Sequence, residues 1–80
     1  MKLYPNPNQG LFTLKAEMDK AESLQLEVFD MMGQIVYEKQ LPFSNLIDER
    51  IEMQNASSGT YFLRLIDGNG KSISRKIWKE

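Results

Sequence analysis

The chain has no cysteine and no histidine. Without cysteine, neither disulfides nor thiolate metal sites can staple the fold. Without histidine, the commonest general base, the commonest metal ligand and every Ser-His or Cys-His nucleophile pair are gone. Long apolar runs are missing too: Tyr61-Phe62-Leu63 is among the longest, far short of the ~18 residues a membrane helix needs. Charge of one sign is also lacking. Ten Lys and Arg against eleven Asp and Glu leave a net charge of −1, so no whole-chain field draws the protein to nucleic acid or lipid. Length is short as well. Eighty residues make one domain, with a folded surface of ~5,000 Å² against ~13,500 Å² unfolded. That supports one thin core and no deep pocket, and it fits an enzyme poorly. The opening Met1-Lys2-Leu3-Tyr4-Pro5 does not read as a secretory leader, which leaves a cytosolic protein or a piece of a longer secreted chain.

What is present is a strong period of two, the mark of strands. Phe12, Leu14, Ala16 and Met18 alternate with Thr13, Lys15 and Glu17. Leu24, Leu26 and Val28 alternate with Gln25 and Glu27, and Ile47, Ile51 and Met53 share a face with Glu49. Tyr61, Leu63 and Leu65 alternate with Thr60 and Arg64, but Phe62 and Ile66 make this strand apolar on both faces. It is therefore expected at the centre of its sheet. Two further runs are weaker: in 34–41, Ile35, Tyr37 and Leu41 oppose Val36, and in 72–79, Ile73 and Ile77 oppose Trp78.

Turn chemistry separates these runs. Asp30-Met31-Met32-Gly33 supplies a glycine between the strands at 24–30 and 34–41, and Asp67-Gly68-Asn69-Gly70 is the strongest hairpin signal. Pro42-Phe43-Ser44-Asn45 and Asn55-Ala56-Ser57-Ser58-Gly59 read as longer corners. Tyr4-Pro5-Asn6-Pro7-Asn8-Gln9-Gly10 cannot be helix, because two prolines fix φ and restrict the residue before each. Asp19-Lys20-Ala21-Glu22 is read as a link between strands. Six or seven short strands with such turns predict an all-β antiparallel sandwich, with Phe12, Leu14, Leu26, Val28, Tyr61, Leu63 and Leu65 in its core.

Three chemical readings are weak. Asp67-Gly68-Asn69-Gly70 has the look of a calcium loop, but the twelfth position from Asp67 is Trp78 where an acidic ligand is required. Asp48, Glu49 and Glu52 are acidic neighbours, yet a strand sends neighbours to opposite faces and offers no cleft between them. Phe29, Tyr37, Phe43, Phe62 and Trp78 could form a platform for sugars or single strands, although core packing explains most of them.

The layout itself is more specific. Tyr4-Pro5-Asn6-Pro7-Asn8-Gln9-Gly10-Leu11-Phe12-Thr13-Leu14 resembles the first motif of the C-terminal sorting domain of the type IX (Por) secretion system. Leu26-Glu27-Val28-Phe29-Asp30-Met31-Met32-Gly33-Gln34-Ile35-Val36 is similar to that family's V-x-D-x-x-G-x-x-V stretch. Asn55 to Leu65 resembles its S-x-G-x-Y-x-L-x-L segment, and Ser74-Arg75-Lys76-Ile77-Trp78-Lys79-Glu80 resembles its basic terminal strand. Four blocks in order cover nearly the whole chain.

The resemblance implies an Ig-like β-sandwich of six or seven strands, with residues 1–80 as a single C-terminal sorting domain of a larger Bacteroidetes cargo protein. It implies transit through the periplasm, recognition by an outer-membrane translocon, and removal by a sortase-like peptidase that cuts upstream of the domain. No catalytic residue, metal or cofactor is expected, and no nucleic acid or small-molecule substrate. The recognition candidates are Pro5, Asn6, Pro7 and Gly10 in the first block, Asp30 and Gly33 in the second, Gly59 and Tyr61 in the third, and Arg75, Lys76 and Lys79 in the last. An Ig-like adhesion or carbohydrate-binding module of a surface protein is the alternative.

The basic end stands out by charge. Residues 1–70 carry a balance of −4 and residues 71–80 one of +3. Alternation puts Arg75, Ile77 and Lys79 on one face, expected to be the inner one with Ile73, and Lys76 beside Trp78 on the other. Lysine stems can lie on apolar surface with the ammonium in water, so single basic residues here are expected to shift stability by no more than ~0.5 kcal/mol.

Overall fold

Alternating apolar residues in the first half of Leu11–Glu22 make the longest strand of the protein, β2. A computed structural model describes residues 1–80. In chain order the other elements are β1 (Lys2–Tyr4), β3 (Gln25–Phe29), β4 (Ile35–Gln40), β5 (Ser44–Glu52), β6 (Gly59–Ile66) and β7 (Ser72–Lys79). They form two antiparallel sheets, one of order β1-β2-β5 and one of order β4-β3-β6-β7. The result is the all-β sandwich expected from the period of two. The folded surface is 5254 Å², close to what the chain length dictates.

The core lies between the sheets. Phe12 and Leu14 of β2 and Ile51 of β5 meet Leu26 and Val28 of β3, Leu63 of β6 and Ile77 of β7, all 1 % exposed or less. Every residue expected in the core is buried, and Leu24, Leu41, Ile47 and Met53 complete the cluster. Burying a side chain such as Leu63 contributes about 1.5–3 kcal/mol, so a few such residues carry most of the net stability of a domain this small. β6 lies between β3 and β7, as its apolar residues on both faces require. Its outer face is covered by Arg64, whose guanidinium lies 4.6 Å from the Phe29 ring centroid and 2.8 Å from Glu27 Oε1.

Four details depart from the sequence reading. Lys2–Tyr4 forms a strand, pairing Leu3 with Leu14. Asp19–Glu22 is no separate link but the end of β2, with an irregular register between Glu17 and Glu22 against β5. Ser44, placed in a corner, already pairs with Glu22 as the first residue of β5. In β4 the register against β3 slips between Tyr37 and Ile35. That bulge leaves Ile35 and Val36 both exposed, while Tyr37 packs on the core.

Candidate functional site

The two prolines of Pro5-Asn6-Pro7 take helix and strand away from the segment after β1, and both X-Pro bonds are cis. The segment instead lies along the outer edge of β7. Asn6 acts there as a substitute peptide group, since a side-chain amide has the same donor and acceptor. Its Nδ2 donates to Lys76 O at 3.0 Å, and its Oδ1 accepts from Trp78 N at 2.9 Å. Asn8 continues the pairing with its main chain: Asn8 N donates to Trp78 O at 2.9 Å, and Glu80 N donates to Asn8 O at 2.7 Å. The first block and the last are thus bonded to each other across the whole length of the sequence.

Asn8 is 2 % exposed, and its Oδ1 accepts from Gly10 N at 2.7 Å, the short-range turn that asparagine favours. Its buried Nδ2 has no partner. Gly10 is fixed by two demands. Its φ of +98° suits glycine, and a Cβ there would lie 2.8 Å from Gln54 Cα and 2.7 Å from Lys79 Cε. Gly10 O accepts from Met53 N at 2.7 Å, which ties the segment to the end of β5.

Lys79 completes the clasp. It faces inward opposite Gly59, and its ammonium donates to Gln54 O at 3.2 Å and to Ala56 O. It lies on the inner face, as alternation predicts, and its ammonium does not run free into water: the carbonyls of the corner after β5 hold it. Tyr61 OH donates to Ser57 O in the same corner, the tie of a strand-entry tyrosine to the backbone just upstream. Asp30 shapes the turn after β3, where its Oδ1 accepts from Met32 N and Gln34 N, both at 2.9 Å, and Gly33 has a φ of +81°. This turn and the Ser57–Tyr61 corner line a shared cavity of about 230 Å³.

One end of the sandwich therefore gathers Pro5, Asn6, Pro7, Gly10, Asp30, Gly33, Gly59, Tyr61 and Lys79. Lys76 lies on the outer face with its ammonium 5.7 Å from the Trp78 ring centroid. Arg75 is farther along β7, exposed, and donates from Nη1 to Ser74 O at 2.9 Å. It shares the inward parity of Ile73 and Ile77, yet only Ile77 is covered: Ile73 is 48 % exposed because β7 overhangs the smaller sheet.

Asn8 was missing from the candidates. Asparagine two residues before a glycine is a turn signal, and it was there to be read. The five aromatics of the platform reading are not gathered in one place: Tyr37 packs on the core, Phe43 is in the corner before β5, and only Phe29 and Phe62 are cross-strand partners, with Arg64 over the Phe29 ring.

Electrostatics is modest. The ion pairs are Lys15–Asp48, Lys39–Glu49 and Arg64–Glu27, so Lys71, Arg75 and Lys76 have no acidic partner. The hydrogen bond from Lys39 to Glu49, reinforced by the carboxylate charge, raises the Lys39 ammonium above its ordinary value. No group of three or more acidic side chains is placed to hold a metal ion. The arrangement presents shape, backbone and positive charge.

Among known proteins, the profile of the family described as secretion system C-terminal sorting domain matches residues 2–80. Ulvan lyase NLR42 of Nonlabens ulvanivorans is 32% identical over 76 residues, which is 94% of this chain and 13% of that protein. The chain spans only that small share of the relative's length.

Proposed function

The chain belongs to the family of secretion system C-terminal sorting domains, a sorting signal for type IX secretion, and from that premise we propose that the clasped end is the label the machinery reads. Residues 1–80 act as the last domain of a larger exported cargo protein. The domain does no chemistry of its own. It crosses into the periplasm with its cargo, is held there by the outer-membrane translocon, and reaches the cell surface. A sortase-like peptidase then cuts upstream of it.

The observation that carries this reading is the convergence of the four motif blocks. Segments 4–10, 30–33, 55–61 and 76–80 are far apart in sequence; antiparallel alternation brings them to one end, and bonds outside the sheet ladders tie 4–10, the 53–57 corner and 76–80 together. Topology accounts for the shared end, while the bonds of Asn6, Asn8 and Lys79 fix the segments there as one composite surface. Lys76 and Trp78 are the exposed side chains on its outer rim.

The test is a reporter placed behind a signal peptide and ahead of residues 1–80, in a bacterium with type IX machinery. Surface display of the reporter is expected. Retention in the periplasm, with an established sorting domain releasing the same reporter, would overturn the reading.

A further inference from the structure

β7 is an edge strand whose outer edge is only half closed. Lys76 O, Trp78 N and O, and Glu80 N all point away from β6, toward Asn6 and Asn8. In an antiparallel ladder the main-chain groups of alternate residues share a side. Those of Ser72 and Ser74, and Lys76 N, therefore face the same outer edge, and no other main-chain group meets them. One side chain does: Arg75 Nη1 donates to Ser74 O.

Two further observations fall on this stretch. Lys71, Arg75 and Lys76 are exposed, and none has an acidic partner. On its inner side Ile73 is 48 % exposed beside an open cleft of about 700 Å³ between the sheets, walled by Ala16, Met18 and Leu65 and rimmed by Glu17, Glu22 and Asp67, so this side favours apolar side chains and the carboxylates belong on the other. The edge thus offers backbone donors and acceptors, positive charge, and an apolar recess at strand spacing.

Resting on the sorting reading above, we propose that the Ser72–Lys76 edge takes up an extended acidic segment of the secretion machinery as an added β-strand. Alternate apolar side chains of that segment enter the cleft beside Ile73, and its carboxylates, which alternation puts on the opposite face, meet Lys76. Natural edges are guarded by charge, and here the guard is selective. Any added strand replaces the Arg75 bond to Ser74 O with its own main-chain N–H, but a basic one brings its charge against Lys76. An acidic strand gives the Lys76 ammonium, exposed and without an acidic partner, a carboxylate to bond.

The test is amide exchange on residues 1–80 with the peptide acetyl-Thr-Glu-Val-Glu-Val-Glu-Thr-amide and its counterpart with lysine for glutamate. At about 1 mM, with a Kd of about 0.1 mM, the acidic peptide slows Ser72, Ser74 and Lys76 amides by about tenfold. Trp78 and Glu80, already bonded, do not change. The effect weakens with salt and is lost in Lys76→Glu; the lysine peptide has none. Ser74→Pro removes one outward donor without touching the β6 ladder, so it melts as the wild type but loses both peptide protection and surface export of the reporter. Equal slowing by the two peptides, no slowing by either, or normal export of Ser74→Pro would overturn the added strand and leave the sorting reading standing. A wild-type reporter that stays in the periplasm counts instead against the sorting reading, and the peptide arm still decides the edge.

Discussion

The two ends of the sandwich are built in opposite ways. At one end Asn6, Asn8, Gly10 and Lys79 close the gap between the sheets with hydrogen bonds to β7, Met53 and the Gln54–Ala56 carbonyls. At the other, β2 runs past β1, the Asp67–Lys71 hairpin turns back, and a cleft stays open between Ala16, Met18 and Ile73. Both ends have the same kind of core between them. The difference is one of means: the clasped end is closed by polar bonds, the hairpin end by apolar contacts and one tight turn.

The largest contrast is expected between glycines. Gly10→Ala meets Gln54 backbone and adopts a positive φ, and it should cost about 3 kcal/mol, which lowers Tm by at least about 12 °C. Gly70 also has a positive φ, +85°, but open space around it, so Gly70→Ala should cost about 1 kcal/mol. Thermal melts of the two check this, and equal losses would erase the distinction between the ends.

Two lysines sharpen it next. Lys79→Ala leaves the Gln54 and Ala56 carbonyls without their donor and should cost about 1.5–2 kcal/mol. Lys76→Ala removes an exposed charge over Trp78 and should stay within ~0.5 kcal/mol. Urea denaturation midpoints decide, and matching midpoints would return Lys79 to the surface.

Much of this division could be read from the chain, and the rest could not for definite reasons. Leu63 and Leu65 announce themselves by alternation, and Phe62 on the opposite face announces a central strand. Lys2–Tyr4 is too short to show a period. Alternation puts Lys79 on the inner face, but its partners are main-chain carbonyls more than twenty residues away, which no side-chain pattern records. Asn6 and Asn8 read as turn residues, while their pairing with β7 spans some seventy residues. Gly10 was singled out by its motif, but the reason, a close approach to Gln54, lies in the tertiary fold alone.

The smallest effect is a pH dependence away from both ends. The Lys39 ammonium is raised by its bond to Glu49. Because the folded value exceeds the unfolded one, the contribution is full below the ordinary value of 10.5 and is lost as pH rises through the folded value. Melts of wild type and Lys39→Met should therefore differ by a constant amount from pH 6 to 9 and converge only above about pH 10.5. Convergence near neutrality would remove this pair from the account.

The clasped end as the label is tested most directly by a pair matched in stability. Asn6→Ala removes two hydrogen bonds to β7 at a cost of about 1 kcal/mol, the same loss expected for Gly70→Ala at the hairpin. In the reporter assay with melts run alongside, Gly70→Ala should reach the cell surface and Asn6→Ala should stay in the periplasm. Equal export of the two would contradict the claim that the machinery reads the clasped end.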